Sequence, residues 1–186
     1  MRVMLTSAGL ETEEIQNCFV KMMNKEMSQV KALFIPTAAI NVGAIEVLPK
    51  CMNDLLKCGI NDENIKVWDL HKEMSIEVIR EYDVVYLCGG VTSYLLERIN
   101  ETQFDKILMA YIEAEGFVIG VSAGSLIFTN NLPDNLGLLN TKLLVHCEKG
   151  DPAGKLSYPL KEEIKLTNTS AIVITDLLEK VEIIGK

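Results

Sequence analysis

Ser122 stands in the pattern G-x-S-x-G, which residues Gly120–Gly124 spell as G-V-S-A-G. The apolar run Phe117–Ile119 precedes the pattern and Leu126–Phe128 follows it, which predicts a buried strand, a sharp turn and a short helix. Such a turn strains the serine backbone and leaves no room for a Cβ at the flanking glycines. Because it exposes the hydroxyl at the carboxyl end of a sheet, we expect Ser122 to be a nucleophile. The alternative is an ordinary small-residue turn between a strand and a helix.

A serine nucleophile needs a base that accepts its proton, and the chain has 2 histidines. His146 follows Ser122 in the chain, at the end of a predicted strand and just before a loop rich in glycine and proline. His71 follows the third predicted strand. Both positions suit a base at the strand ends; we favour His146 and keep His71 as the alternative.

The third member of a catalytic triad is a carboxylate that fixes the tautomer of the imidazole. The acidic candidates lie in loops or at strand ends of the second half of the chain, and spacing alone does not rank them. We take Asp134 as the first choice, from a set that also contains Glu148, Asp151, Asp176 and Glu179.

An oxyanion formed at Ser122 requires backbone N–H donors. Ala123, directly after the nucleophile, supplies one, and the turn Gly89–Gly90 is placed to supply a second. The alternative for the glycine pair is a tight turn between a strand and a helix.

These candidate site residues are positioned by predicted strands and helices that alternate along the first two thirds of the chain. The predicted strands before the serine turn are Arg2–Ser7, Val30–Thr37, Ile65–Leu70 and Tyr82–Cys88. The predicted helices are Thr12–Met27, Val42–Cys58, Ser75–Glu81, Tyr94–Asn100 and Phe104–Glu115. This alternation predicts right-handed βαβ units and a mostly parallel sheet, and such sheets bind ligands outside the carboxyl ends of their strands.

The remainder of the chain follows a different pattern. It contains a predicted strand at Leu138–Cys147, a short helix at Pro159–Leu166 and an antiparallel pair at Ala171–Thr175 and Lys180–Ile184. We therefore expect one α/β domain over residues 1–186: three layers with a mostly parallel sheet and a small antiparallel extension near the C-terminus.

Composition narrows the class of protein. A chain of 186 residues with 48% hydrophobic residues can bury a sizeable core. The net charge of −8 argues against nucleic-acid binding. We expect no membrane segment and no signal peptide, and the 5 cysteines without a paired CxxC motif favour a reducing cytoplasm. We expect no metal and no cofactor, and the oligomeric state is left open.

Three segments together resemble the peptidase E family of serine dipeptidases, relatives of cyanophycinase on an amidotransferase-like fold. They are the strand and turn Tyr82–Thr92, which ends in Gly-Gly-x-Thr, the turn Gly120–Gly124, and Thr129–Pro133 followed by a strand to His146. The resemblance covers most of the chain. It implies a flavodoxin- or amidotransferase-like sheet, and cleavage of small peptides after an N-terminal aspartate, without a metal.

The resemblance also implies roles for individual residues. Ser122 would be the nucleophile and His146 the base, with the N–H groups of Gly90 and Ala123 binding the oxyanion. From the matching motifs we further expect the substrate to contact three residues, which are Gly89, Thr92 and Asn131.

The chain departs from the family pattern at three places. Val91 replaces an asparagine of the glycine turn, and Asn131 stands where the family has its triad aspartate. Lys149, Lys155 and Lys161 occupy the region in which the family carries arginines for a substrate aspartate, and lysine does not reproduce the bidentate grip of arginine on a carboxylate. We expect a serine peptidase; an esterase or amidase using the same pair, and a binding domain with a broken triad, are the alternatives.

Overall fold

Within residues 1–176 and 180–186, which the computed structural model describes, an eight-stranded sheet runs in the order β3-β2-β4-β5-β1-β9-β10-β7. Its strands are β1 (Arg2–Thr6), β2 (Ala32–Ile35), β3 (Ile65–Val67), β4 (Val84–Leu87), β5 (Phe117–Val121), β7 (Gly154–Lys155), β9 (Ser170–Thr175) and β10 (Lys180–Gly185). β6 (Lys142–Leu144) and β8 (Glu163–Lys165) form a separate two-stranded parallel ribbon. The helices are α1 (Glu13–Met23), α2 (Val42–Lys57), α3 (Ile76–Ile79), α4 (Thr92–Glu101), α5 (Phe104–Glu113) and α6 (Ala123–Leu126).

Strand pairing in the sheet changes from parallel to antiparallel at β1. From β3 to β1 all neighbouring strands are parallel, whereas β9, β10 and β7 are added antiparallel. The expected α/β fold with a mostly parallel sheet and an antiparallel extension near the C-terminus is therefore confirmed. The predicted closing pair also forms, as β9 and β10.

Helices cover both faces of the sheet. α1 and α2 pack on one face through a core cluster that includes Phe19 and Leu55, and α3, α4 and α5 pack on the other through Ile79, Ile99 and Leu108. β4 and β5 are buried along their whole lengths, as strands covered on both faces must be. No helix in the described part of the chain is long and apolar enough to cross a membrane.

The start of α2 is set locally, but its two halves differ in burial. Asn41 caps the helix, because its Oδ1 accepts a hydrogen bond of 2.9 Å from the N–H of Ala44. The first half, Val42 to Lys50, contains no buried residue, whereas Cys51 and Leu55 of the second half are buried. The first half of α2 is therefore not part of the core.

The predicted helix at Pro159–Leu166 is wrong, because this segment contains strand β8. Ile164 is buried between a partly exposed Glu163 and an exposed Lys165, an alternation with the period of a strand. The strand predicted at Leu138–Cys147 is shorter than expected and is limited to β6.

Candidate active site

The turn that carries Ser122 has the strained geometry expected from its sequence. Ser122 adopts φ 48° and ψ −109° between β5 and α6. A Cβ on Gly120 would lie 2.4 Å from the carbonyl oxygen of Gly124, and a Cβ on Gly124 would lie 2.3 Å from that of Leu87. Both contacts are with backbone, which has no room to move, so both glycines are required for the turn to close.

Buried polar groups tie the same turn to β1. The N–H of Ser122 donates to the carbonyl of Thr6 at 2.9 Å. Ser125, fully buried, donates through its hydroxyl to the same carbonyl at 2.8 Å and accepts from the N–H of Thr6 at 2.9 Å. The position of Ser122 is therefore set by the central sheet.

His146 lies beside the serine, and its two ring nitrogens have different partners. The hydroxyl of Ser122 is 3.0 Å from Nε2, and Oδ1 of Asn168 is 2.7 Å from Nδ1. An amide oxygen accepts a hydrogen bond, so Asn168 favours the tautomer with the proton on Nδ1 and leaves the Nε2 lone pair facing Ser122. His71, the alternative base, instead contacts the hydroxyl of Tyr94 at 3.3 Å and the carboxylate of Asp69 at 3.6 Å.

Ser7, at the end of β1, holds the backbone of the histidine. The N–H of His146 donates to the Ser7 hydroxyl at 3.0 Å, and this hydroxyl donates to the carbonyl of Leu166 at 3.3 Å. Ser7 is completely buried, whereas His146 is exposed and has a positive φ of 59°. A buried hydroxyl of the core thus anchors an exposed loop in a conformation that few residues other than glycine adopt.

Asp134, the first choice for the third triad member, does not lie beside His146; Asn168 occupies the position next to Nδ1. Asp134 is exposed and lines a different cavity, together with Ser93, Leu96 and Glu97 of α4. The turn after α6 runs along α4, which carries this carboxylate away from the imidazole.

The other acidic candidates do not replace it. Asp151 pairs with Lys161, and Asp176 pairs with Lys180. Glu148 is exposed and does not line the cavity at Ser122, and Glu179 lies outside the described residues.

Two of the three predicted substrate contacts also lie elsewhere. Asn131 uses its amide on the ribbon: its Oδ1 accepts from the N–H of Leu143 at 2.9 Å, and its Nδ2 donates to the carbonyl of Leu143 at 2.8 Å. Its amide groups are therefore committed to holding β6 in place. Thr92 begins α4 and, like Asn131, is not among the residues that line the cavity at Ser122.

The cavity at the serine has a volume of about 320 Å³. Gly89 and Gly90 both line it. Gly90 has φ 146°, and a Cβ there would lie 2.0 Å from the carbonyl oxygen of Ala38. Ala123 is the first residue of α6, where a backbone N–H has no acceptor within the helix. The remaining lining residues are Ser7, Ala8, Ala44, Val47, Leu48, Lys50, Cys51, Val121, Ser122, His146 and Asn168.

A buried carboxylate positions the helix that forms one side of this cavity. Oδ2 of Asp54, in α2, accepts from the N–H of Leu10 at 2.9 Å and from the hydroxyl of Tyr86 at 3.3 Å. Burial raises the pKa of Asp54, against the lowering effect of the Leu10 N–H and of the Lys50 charge. These bonds fix α2 against the segment that follows β1, so the wall of the cavity has a defined position.

The described residues include no group of three or more histidine, cysteine or acidic side chains that could hold a metal ion. All five cysteines are free, and of these only Cys51 lines the cavity.

Sequence reasoning did not find Asn168 or Ser7. Asn168 lies in the polar turn Thr167–Ser170 between two apolar segments, and such a turn is typical of loops in general. Ser7 was predicted only as the last residue of the first strand. The only signal at either position was its location at a strand end, which many other polar residues share.

Fold and geometry together define the class: an α/β protein that presents a serine on a strained turn beside a histidine–amide pair. The chain belongs to peptidase family S51, whose sequence model matches residues 3–136. The expected resemblance to peptidase E is thereby confirmed, and membership of this family supports a serine-type peptidase. The matched region includes Ser122 and ends before His146 and Asn168.

Similar proteins agree with this assignment. An uncharacterized peptidase of Listeria innocua is 29% identical over 99 residues, 53% of this chain and 47% of that protein. An uncharacterized peptidase of Listeria monocytogenes is 33% identical over 80 residues, 43% of this chain and 39% of that protein. The matches therefore span less than half the length of these curated relatives.

Two crystal structures share the fold. One, at 1.5 Å, is a proposed peptidase E protein from Listeria monocytogenes EGD-e, with a TM-score of 0.75, 21% identity and coverage of 100% of this chain and 98% of that one. The other is a peptidase from an acI-B1 Actinobacterium, with a TM-score of 0.74, 17% identity and coverage of 100% and 87%.

Proposed function

We propose that this protein is a serine peptidase that cleaves small peptides through an acyl-enzyme, using Ser122, His146 and Asn168. The observation that carries the proposal is the chain of two contacts from Ser122 Oγ to His146 Nε2, at 3.0 Å, and from His146 Nδ1 to Asn168 Oδ1, at 2.7 Å. A base within hydrogen-bond reach of the nucleophile, itself oriented by a third group, is the arrangement that activates a serine.

The reaction proceeds in two halves. Ser122 Oγ attacks the scissile carbonyl while its proton passes to His146 Nε2, and the N–H groups of Gly90 and Ala123 bind the oxyanion. The imidazolium then gives that proton to the leaving amine, and the C–N bond breaks. Water, deprotonated by the same nitrogen, then attacks the ester on Ser122. The bond from the acyl carbon to Oγ breaks, Nε2 returns the proton to Oγ, and the acid and the free serine are released.

Asn168 takes the role that a carboxylate has in a Ser-His-Asp triad. Its amide oxygen orients the imidazole, as the asparagine of Cys-His-Asn proteases does. It carries no negative charge, so it stabilises the imidazolium less than a carboxylate would. The peptide cleavage that we propose therefore relies on orientation and on the oxyanion donors more than on charge.

The test is labelling of the purified protein with a fluorophosphonate, followed by mass spectrometry of the modified peptide. We expect one label per chain on Ser122, none on Ser122→Ala, and a rate at least about 100-fold lower for His146→Ala, since a positioned base contributes 10²- to 10⁴-fold. Ser93→Ala serves as a matched control, because Ser93 is an exposed serine outside the cavity.

The absence of any label on folded wild-type protein would contradict the proposal and would favour a binding domain. Labelling at Ser122 with turnover of esters but not of peptides would favour the esterase or amidase alternative. Circular dichroism of each variant tests whether a lost label reflects unfolding of that variant.

A further inference from the structure

One stripe of α2 lines the cavity at Ser122. Ala44, Val47, Leu48 and Cys51 recur at the spacing i, i+3, i+4 and i+7, so they share one face of the helix, and all four line the cavity. The stripe is apolar throughout. Val47 is 47% exposed, so this face is not fully used in packing the core.

The stripe lies across the cavity from the base. α2 packs with the core cluster on the α1 side of the sheet, through Leu55. The loop of His146 belongs to the ribbon β6–β8, whose Leu143 and Ile164 pack with the cluster on the opposite side. Because His146 must protonate the leaving group, the leaving group lies on the ribbon side and the acyl part of the substrate faces α2.

The lining includes one cationic side chain other than the histidine, and its charge is already compensated. Nζ of Lys50 forms an ion pair with Glu11 and donates to the carbonyl of Ala8 at 3.2 Å. The contact with Glu11 also keeps the pKa of Lys50 raised, despite the lowering effect of burial. A substrate carboxylate in this cavity would have to compete with Glu11 for the ammonium group.

These observations determine which side chain suits the cavity. A carboxylate placed against the stripe would lose its hydration without gaining a free cation, which is costly. An aliphatic or aromatic group would bury apolar surface there at a gain of roughly 25 cal/mol per Å².

We propose that the enzyme selects substrates with an uncharged, apolar side chain on the acyl side of the scissile bond, held against Ala44, Val47 and Leu48. The inference rests on the proposed function, because it assigns the acyl side by the position of the base. The proposed side-chain preference differs from that of a peptidase that cleaves after aspartate.

The first experiment compares two covalent probes that differ only in charge. Diphenyl aminophosphonates with the side chain of leucine or of aspartate have side chains of similar branched shape. We expect the leucine probe to modify Ser122 at least about 10-fold faster, a ratio within the range that one well-placed apolar contact supplies. An aspartate probe that reacts as fast or faster would overturn the inference.

A charge placed on the stripe should shift this preference. In Val47→Arg we expect the leucine probe to slow about 10-fold and the aspartate probe to accelerate, because a carboxylate then has a free cation. Val42→Arg is the matched control: it lies on the same helix, is 72% exposed and does not line the cavity, so both rates should stay unchanged. Equal effects of the two arginines would place the preference outside the stripe and contradict the inference.

A binding measurement separates this inference from the proposed function. In Ser122→Ala protein, methyl resonances of Val47 and Leu48 should shift on titration with N-acetyl-leucinamide and not with N-acetyl-aspartamide. This readout needs no nucleophile. If these shifts occur but no probe labels the wild-type protein, the peptidase proposal alone is refuted. Shifts with N-acetyl-aspartamide and not with N-acetyl-leucinamide would refute the inference about the cavity.

Discussion

The nucleophile and its base are held in two different ways. Ser122 lies on a turn that is tied to the central sheet by hydrogen bonds to the backbone of Thr6, one of them from the buried hydroxyl of Ser125. His146 and Asn168 are exposed and come from loops flanking a two-stranded ribbon. We therefore expect substitutions in the turn, the rigid half of the site, to reduce mainly stability. Substitutions at His146 and Asn168, the attached half, should reduce mainly activity.

The largest expected effect is on stability, from a Cβ in the rigid half. Gly124→Ala would place a methyl group 2.3 Å from the carbonyl oxygen of Leu87, and we expect a loss of about 2–3 kcal/mol, in the range of overpacked cores. For a chain of this length that corresponds to a Tm roughly 5–10 °C lower in thermal unfolding.

Gly43→Ala is the control for this substitution. Its nearest neighbour would be Asn41 Oδ1 at 3.8 Å, so alanine should be neutral or slightly stabilising in α2. A Gly124→Ala protein as stable as Gly43→Ala would show that the turn is not closely packed.

The next effect is on activity, from the attached half. Asn168→Ala removes the partner of Nδ1, so we expect kcat/KM to fall roughly 10- to 100-fold, part of what a positioned base contributes, with the Tm changed by less than about 2 °C. Asn168→Asp should retain activity and move the acid limb of the kcat/KM–pH profile to higher pH, because a carboxylate stabilises the imidazolium.

Asp134→Asn is the matched control, since Asp134 lies in another cavity and should be without effect. A loss of activity in Asp134→Asn, with Asn168→Ala unaffected, would instead support Asp134 as the third member of the triad.

A smaller effect is expected where the two halves meet. Ser7→Ala removes the hydroxyl that joins the N–H of His146 to the carbonyl of Leu166. We expect kcat to fall about 10-fold with KM nearly unchanged, because the imidazole loses its position whereas the cavity that binds the substrate stays the same. Steady-state kinetics beside Ser7→Thr, which keeps the hydroxyl, would test this; equal losses in both variants would point to packing at this buried position.

The smallest effect concerns the pH dependence of stability, through Asp151 in the loop that follows His146. Although burial acts to raise it, contacts with Lys161 and the N–H of Lys165 lower the pKa of Asp151 below its ordinary value of 3.8. A lowered pKa contributes stability above pH 3.8, and this stability is lost as the pH falls through the lower, folded-state value. Asp151→Asn should therefore be less stable by under about 1 kcal/mol at pH 7, with a smaller difference once the pH falls below 3.8. Urea unfolding at pH 7 and pH 3 measures it; a difference independent of pH would show that the charge has no part in it.

The rigid half could be predicted because its signals are local. The G-x-S-x-G pattern of Gly120–Gly124 is contained in five residues, and the strand–turn–helix order is visible in the hydrophobic pattern around it. The same is true of the alternating strands and helices that form the parallel sheet. Boundaries failed mainly in the ribbon, where Glu163–Lys165 is too short for its strand period to outweigh a helical interpretation.

The attached half could be predicted only in part. The choice of His146 was easy to make because the chain has only 2 histidines, which left His71 as the one alternative. The partner of Nδ1 could not be found by looking for a carboxylate, because an amide from the loop before β9 fills that place. The stripe of α2 was likewise predicted as part of a helix, without the cavity that it faces.

The sequence by itself determined the parallel sheet, the strained serine and the glycine turn, because hydrophobic periodicity and glycine motifs can be recognised within short stretches of the chain. Only the tertiary structure decided that Asn168 meets His146, that Ser7 anchors it and that α2 faces Ser122. Those contacts join residues that are 22 to 139 positions apart, or different faces of the sheet, and no local rule of the backbone specifies them.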